Sequence, residues 1–361
     1  MQNLPFYNAS ATYAENYDQG PFGVFKSKPG FMPVPKESVE IFGYKIDIPF
    51  GIPAGPLLNG NFIKAAWNWG YSLATYKTVR GVAYPCHPFP NIIKVKSGHP
   101  EIHPGDTVVG NLKIDDIDID HDGITNSFGV PSQPPEVWQS DVKQTLAGMT
   151  PGNLLILSFV GTKTDGMTRV DYINDFARVG KMAKDTGAPV LEVNFSCPNV
   201  GKEGLICNDL ETSADILTVL NSVKGNTPLL VKIGYFSKDQ RETLNRLLEI
   251  IHNYADGVAA INTIQAKVTD DKGSQILPGS PVRLQSGICG SAIKWAGLEM
   301  ADYITEKKKQ MNWRNFVTIG VGGVVTPADY QQYLDIGVDA VQSATGAMWK
   351  PELAAEIRKG E

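Results

Sequence analysis

From residue 48 onward, short apolar runs alternate with longer amphipathic stretches. Eight runs stand out, at 49–54, 72–78, 154–159, 190–194, 228–233, 257–262, 316–320 and 340–343. They are continuous rather than alternating, Leu154-Leu155-Ile156-Leu157 being the clearest, which is the signature of strands covered on both faces. The intervening stretches carry helical spacing. In 171–186, Tyr172, Ile173, Phe176, Val179 and Met182 fall on one helix face, and 210–223 and 240–254 repeat the pattern. Eight strand–helix units predict an α/β fold, a (β/α)8 TIM barrel. A doubly wound open sheet is the alternative, but no G-x-G-x-x-G follows the first strand, which removes the usual reason to prefer it.

Three stretches depart from this rhythm. Residues 1–45 lack clear periodicity and are punctuated by glycine and proline, so they predict an extension rather than a domain. The barrel is expected over 46–361, with long insertions near 84–125 and 264–290. Both insertions leave the C-terminal end of the strands, where barrel active sites sit, and loops of that length are usually lids, extra hairpins or other functional insertions.

Composition narrows the class. With 42% hydrophobic and 20% charged residues, the chain reads as a soluble globular protein. A net charge of -5 argues against a nucleic-acid partner. No apolar run approaches the ~18 residues of a membrane span, and the start of the chain resembles neither a signal peptide nor a membrane anchor. The four cysteines, Cys86, Cys197, Cys207 and Cys289, include no C-x-x-C pair. That argues against an iron–sulfur cluster, structural zinc or a disulfide framework, and a cytoplasmic location is expected. The run Asp118-Ile119-Asp120-His121-Asp122-Gly123 imitates a calcium loop, but Gly129 stands where a bidentate glutamate is needed. It is expected to form an exposed strand edge, and no metal site is expected.

Candidate chemistry gathers at predicted strand ends. The fourth strand runs into Asn194-Phe195-Ser196-Cys197-Pro198-Asn199, where two carboxamides bracket a thiol. A carboxamide both donates and accepts, which suits the edges of a pyrimidine ring, and a thiol can act as a proton-transfer base. A plain buried cysteine in a turn is the alternative. Lys77 and Lys232 end the second and fifth strands and are aimed into the barrel mouth, the alternatives being a solvated surface lysine for Lys77 and a snorkelling structural lysine for Lys232. Asn262-Thr263 ends the sixth. The successive backbone N–H groups of Asn126-Ser127-Phe128-Gly129-Val130 offer a nest for a carboxylate, or form a plain turn before a helix. Gly322-Gly323 and Thr345-Gly346 follow the last two strands, at the recurrent phosphate site of such barrels.

Read in order, these motifs resemble those of the class 1 dihydroorotate dehydrogenases, FMN-dependent enzymes of pyrimidine synthesis. The Cys197 loop resembles their Asn-x-Ser-Cys-Pro-Asn loop, where class 2 relatives carry serine, and Asn126-Ser127-Phe128-Gly129-Val130 resembles their Asn-Ser-Met-Gly-Leu. The resemblance implies Cys197 as catalytic base. It implies a substrate held by Lys77, Asn126, Ser127, Phe128, Gly129, Val130, Asn194, Asn199, Asn262 and Thr263. It places FMN against Ala54, Gly55, Lys77, Thr78, Asn194, Lys232, Gly290, Gly322, Gly323, Thr345 and Gly346. It further implies a homodimer, and a second electron acceptor that is either fumarate or NAD reached through a separate iron–sulfur flavoprotein subunit. Three departures qualify it. Phe128 replaces methionine, Ser286 replaces a glycine in the partly matching turn 287–291, and Asn262-Thr263 is the pairing of dihydropyrimidine dehydrogenases. A uracil-type dehydrogenase or reductase and a non-catalytic flavin-binding barrel therefore remain as alternatives.

Overall fold

The structure, a computed structural model, describes residues 5–30, 32, 38–96, 98, 100–114, 116–196, 205–280 and 282–360. Eight parallel strands, β1 (Phe50–Ile52), β2 (Leu73–Val79), β3 (Leu154–Phe159), β4 (Val190–Asn194), β5 (Leu229–Ile233), β6 (Gly257–Ala260), β7 (Val317–Val321) and β8 (Ala340–Gln342), close into a barrel. They follow chain order, and β8 meets β1 with Val341 opposite Phe50. Helices such as Arg169–Lys184 and Leu210–Lys224 connect the strands and bury apolar stripes against them. Closure excludes the open sheet. Each strand falls on one of the eight apolar runs.

The barrel interior is layered. Because side chains alternate along a strand, every second residue faces the lumen. Leu73, Leu154, Ile156, Val190, Leu230, Ala259, Ile319 and Ala340 form an apolar cluster there. Ile41 and Ile46 join it from the hairpin Val39–Ile41/Tyr44–Ile46, so part of the N-terminal extension closes the barrel floor. One step further along their strands the same faces turn polar, with Thr75, Ser158, Glu192, Lys232 and Gln342, all buried. Gln342 Nε2 donates to Thr75 Oγ1 at 2.9 Å.

The rest of the extension climbs the barrel wall. Phe6 stacks on Phe25 at 4.5 Å, and its N–H donates to the Met348 carbonyl at 3.1 Å. Tyr7 and Tyr13 then lie edge-on against Phe128.

The two insertions form one object. Lys94–Lys96, Thr107–Asn111 and Gly123–Asn126 from the first, with Ile264–Thr269 and Gln285–Gly290 from the second, close into a second, five-stranded barrel. Gly287 pairs with Asn126 and Lys267 with Thr107 across the two insertions. The acidic run 118–122 is a turn and not the strand edge its alternation suggested. The Asp118 carboxylate accepts the Asp120 N–H at 3.2 Å and stands 2.8 Å from His121 Nδ1, and the Asp118 carbonyl accepts the Asp122 N–H. Aspartates capture nearby backbone in this way and so favour turns over strands. Among the described residues, no helix is long and apolar enough to cross a membrane.

Candidate active site

A cleft opens between the C-terminal ends of the strands and the five-stranded barrel, with about 1670 Å³ of empty space including its open mouth. Ala54 and Gly55 enter it just after β1, Lys77 and Thr78 from β2, Asn194 from β4 and Lys232 from β5. Asn262 and Thr263 follow β6, Gly322 and Gly323 follow β7, and Thr345 and Gly346 follow β8. The small barrel contributes Asn126, Ser127, Phe128, Gly129, Val130 and Gly290. Cys197 and Asn199 lie outside the described residues. Ser196, immediately before them, lines the cleft.

The carboxamides are oriented by their own chain. Asn194 Oδ1 accepts from the Ser196 N–H at 3.0 Å and from Asn262 Nδ2 at 3.4 Å. β6 stops at Ala260, two residues short of the predicted end, although the next two residues stay tied to the neighbouring strands. The Ile261 N–H reaches the Val321 carbonyl and the Asn262 N–H the Ile233 carbonyl. Gly287 lets the small barrel pass over Thr263, since a Cβ there would lie 2.3 Å from Thr263 Oγ1.

The loop 126–130 is tied down from several sides. Asn91, buried, donates to the carbonyls of Ser127, His87 and Pro88 and accepts the Ser127 N–H at 3.1 Å. One N–H of the expected nest is therefore already bonded, and those of Phe128, Gly129 and Val130 follow it into the cleft wall. Gly129 (φ +77°) and Val130 (φ +56°) are left-handed. A branched residue in that region costs roughly 1–3 kcal/mol, and Arg80 holds it by donating from Nε to the Val130 carbonyl at 2.9 Å.

Among the cleft residues that the sequence did not mark, Arg283, His87, Tyr7 and Tyr13 bear on its chemistry. Arg283 donates to the Ser127 carbonyl and hydroxyl and to the Pro278 carbonyl. His87 stacks under Gly129, where a Cβ would meet its ring. Tyr7 and Tyr13 complete the wall beside Phe128. None lies in a periodic stretch or recognisable motif, so nothing local marked them.

The lysines differ from surface lysines in burial. Lys77 and Lys232 are both buried. Lys232 Nζ lines the cleft with no hydrogen-bond partner among the described residues. Burial draws its pKa down to about 8, against the pull of Glu192. Burial pushes the Glu192 carboxyl up, opposed by Lys232 and the Ser158 hydroxyl.

Known proteins share this sequence over nearly its whole length. The family model described as dihydroorotate dehydrogenase matches residues 109–360. The dihydroorotate dehydrogenase of Dictyostelium discoideum is 33% identical, over 98% of this chain and 96% of its own. The dihydroorotate dehydrogenase (quinone) of Pseudarthrobacter chlorophenolicus is 25% identical over 91% and 85%. The NAD-dependent dihydropyrimidine dehydrogenase subunit PreA of Escherichia coli is 28% identical over 55% and 46%. The protein is a (β/α)8-barrel oxidoreductase acting on CH–CH bonds. It belongs to the dihydroorotate dehydrogenase family, whose enzymes are in general flavin-dependent.

Proposed function

We propose that this chain oxidises (S)-dihydroorotate to orotate with bound FMN, as a class 1 member of its family. The observation that carries the reading is the convergence of Lys77, Asn126, Asn194, Lys232 and Asn262 on one cleft. FMN fits the residues present. Lys232 offers a buried cation whose Nζ has no hydrogen-bond partner among the described residues, which a negative flavin edge would satisfy. Gly322, Gly323, Thr345 and Gly346 supply the phosphate turn, and no heavy atom of the described residues beyond its chain neighbours lies within 4 Å of where a Gly55 Cβ would stand. Ala54, Thr78 and Gly290 complete its surroundings. A bound FMN would supply the hydride acceptor.

The chain's own groups do the rest. Cys197 takes the proton from ring C5 while C6 gives up hydride, leaving the C5=C6 double bond. Asn126, Asn194, Asn199 and Asn262, with Thr263, hold the ring amides. The N–H groups of Phe128, Gly129 and Val130, with Ser127, face the carboxylate. Lys77 orients the ring. The electrons then leave to fumarate, or to NAD through a separate iron–sulfur flavoprotein subunit.

Oxidation of a dihydrouracil-type ring is the second reading, favoured by Thr263 and by the similarity to the dihydropyrimidine dehydrogenase subunit. Anaerobic mixing separates the two. Dihydroorotate should bleach the flavin and dihydrouracil should not, and the cofactor released by heat should run as FMN. Bleaching by dihydrouracil alone, or release of FAD, overturns the reading.

A further inference from the structure

The chemistry above makes no use of Glu192. It is a carboxyl group in the barrel lumen with no solvent exposure. β4 and β5 pair in parallel, with Leu230 opposite Glu192 and Lys232 opposite Asn194. Asn194 and Lys232 therefore reach the cleft together, and Glu192 lies beside Lys232 one step deeper. Neither carboxylate oxygen of Glu192, nor Lys232 Nζ, has a partner at full hydrogen-bond geometry among the described residues, the Ser158 hydroxyl acting on the carboxyl from outside it.

A lone ion in such a place sheds its charge, because the cost of losing water is several kcal/mol per ion. Two opposite charges can retain each other. Of the groups around the lumen at this level, Thr75 from β2, Ser158 from β3 and Gln342 from β8 do not ionise. Lys77 from β2 is the further cation. β1, β6 and β7 bring no ionisable side chain. Among the described residues, the carboxylate placed to act on Lys232 is that of Glu192.

We propose that Glu192 is a positioning residue for charge, whose carboxylate holds Lys232 as an ammonium beside the flavin from one layer deeper in the barrel. The inference rests on the FMN reading above. It makes the cation that favours reduced flavin depend on a side chain that touches neither flavin nor substrate.

The sign of one measurement decides it. If Lys232 kept its proton unaided, removing a nearby negative charge would raise the flavin reduction potential. If Glu192 maintains the ammonium, Glu192→Gln leaves a neutral lysine and lowers the potential. The holoenzyme potential is measured by dye equilibration from about pH 6 to about pH 9.5 for the wild type, Glu192→Gln, Lys232→Met and the double variant. The expected result near pH 8 is a potential for Glu192→Gln below the wild type, close to that of Lys232→Met, with no further fall in the double variant. Towards about pH 6 the lysine of Glu192→Gln takes its proton back, and the potential should return to the wild-type value or above.

An unchanged or raised potential for Glu192→Gln near pH 8, with Lys232→Met lowered, overturns this inference and leaves the FMN reading standing. An unmoved potential in Lys232→Met overturns this inference as well, because the cation is then not beside the flavin, while the FMN reading stands or falls on the bleaching and cofactor-release experiment. Should Glu192→Gln not fold, Glu192→Asp serves in its place. Its carboxylate is drawn back from Nζ, so a smaller fall near pH 8 supports the inference, and no fall overturns it.

Discussion

Arg283 donates from Nη2 to the Ser127 carbonyl at 3.1 Å, tying the tip of the second insertion to the loop that the first insertion delivers to the cleft. The same guanidinium reaches the Ser127 hydroxyl and the Pro278 carbonyl. It thus brings a cation to the wall where a substrate carboxylate is expected.

Arg283→Met is accordingly expected to weaken orotate binding. Hydrogen bonds to a charged group are worth about 1.5–3 kcal/mol, so the loss should be about 10- to 100-fold. Titration followed by flavin absorbance reads it. A carboxylate-free pyrimidine such as uracil should lose less, and an equal loss for both ligands would place Arg283 away from the carboxylate.

Cys197→Ala is expected to slow flavin reduction by roughly 10²–10⁴-fold while orotate still binds. In the wild type the rate should rise with pH and level off above the apparent pKa of the thiol, as the proposed thiolate base requires. The other thiols do not interfere. Burial pushes Cys86 and Cys289 up to about 11 and Cys207 up to about 12. Their alanine variants should keep the profile. Single-turnover bleaching against pH for all four variants checks it, and a Cys197→Ala enzyme with wild-type rate and profile removes the thiol from the chemistry.

Ile46→Ala tests the floor. Ile46 is fully buried in the lumen cluster, so truncation should cost about 2–5 kcal/mol. Urea unfolding should show the loss, with flavin potential and orotate affinity unchanged. A shift in either property would mean that the floor communicates with the site.

Asp329 anchors the turn after β7. Burial alone would raise its pKa, but bonds from Lys294, the Val325 N–H and Thr326 outweigh it and hold the carboxyl below its ordinary value. A folded pKa below the unfolded one means a contribution fully present above the unfolded value and lost as pH falls through the folded one. Asp329→Asn should lower stability at neutral pH by about 1–3 kcal/mol and flatten its acid limb. Urea midpoints across the acid range report both, and an acid limb as steep as that of the wild type would assign the effect elsewhere.

The barrel was legible in the sequence because its strands are marked locally. A run such as Leu154-Leu155-Ile156-Leu157 must be covered on both faces wherever it lies, and eight such runs separated by helical stripes leave few arrangements. The strand-end polar residues were legible for the same reason. Lys77, Asn194 and Lys232 interrupt apolar runs at their C-terminal ends, which is the mouth in any parallel barrel. Tertiary structure decided what depended on distant partners. The five-stranded barrel pairs Gly287 with Asn126, and neither segment carries a pattern strong enough to announce the other. Arg283, Tyr7 and Tyr13 reach the cleft only because an insertion and an extension fold back onto it. Glu192 was visible as a charged residue within a strand, but its place beside Lys232 comes from the register between β4 and β5. Barrel closure sets that register, and no local preference of either strand encodes it.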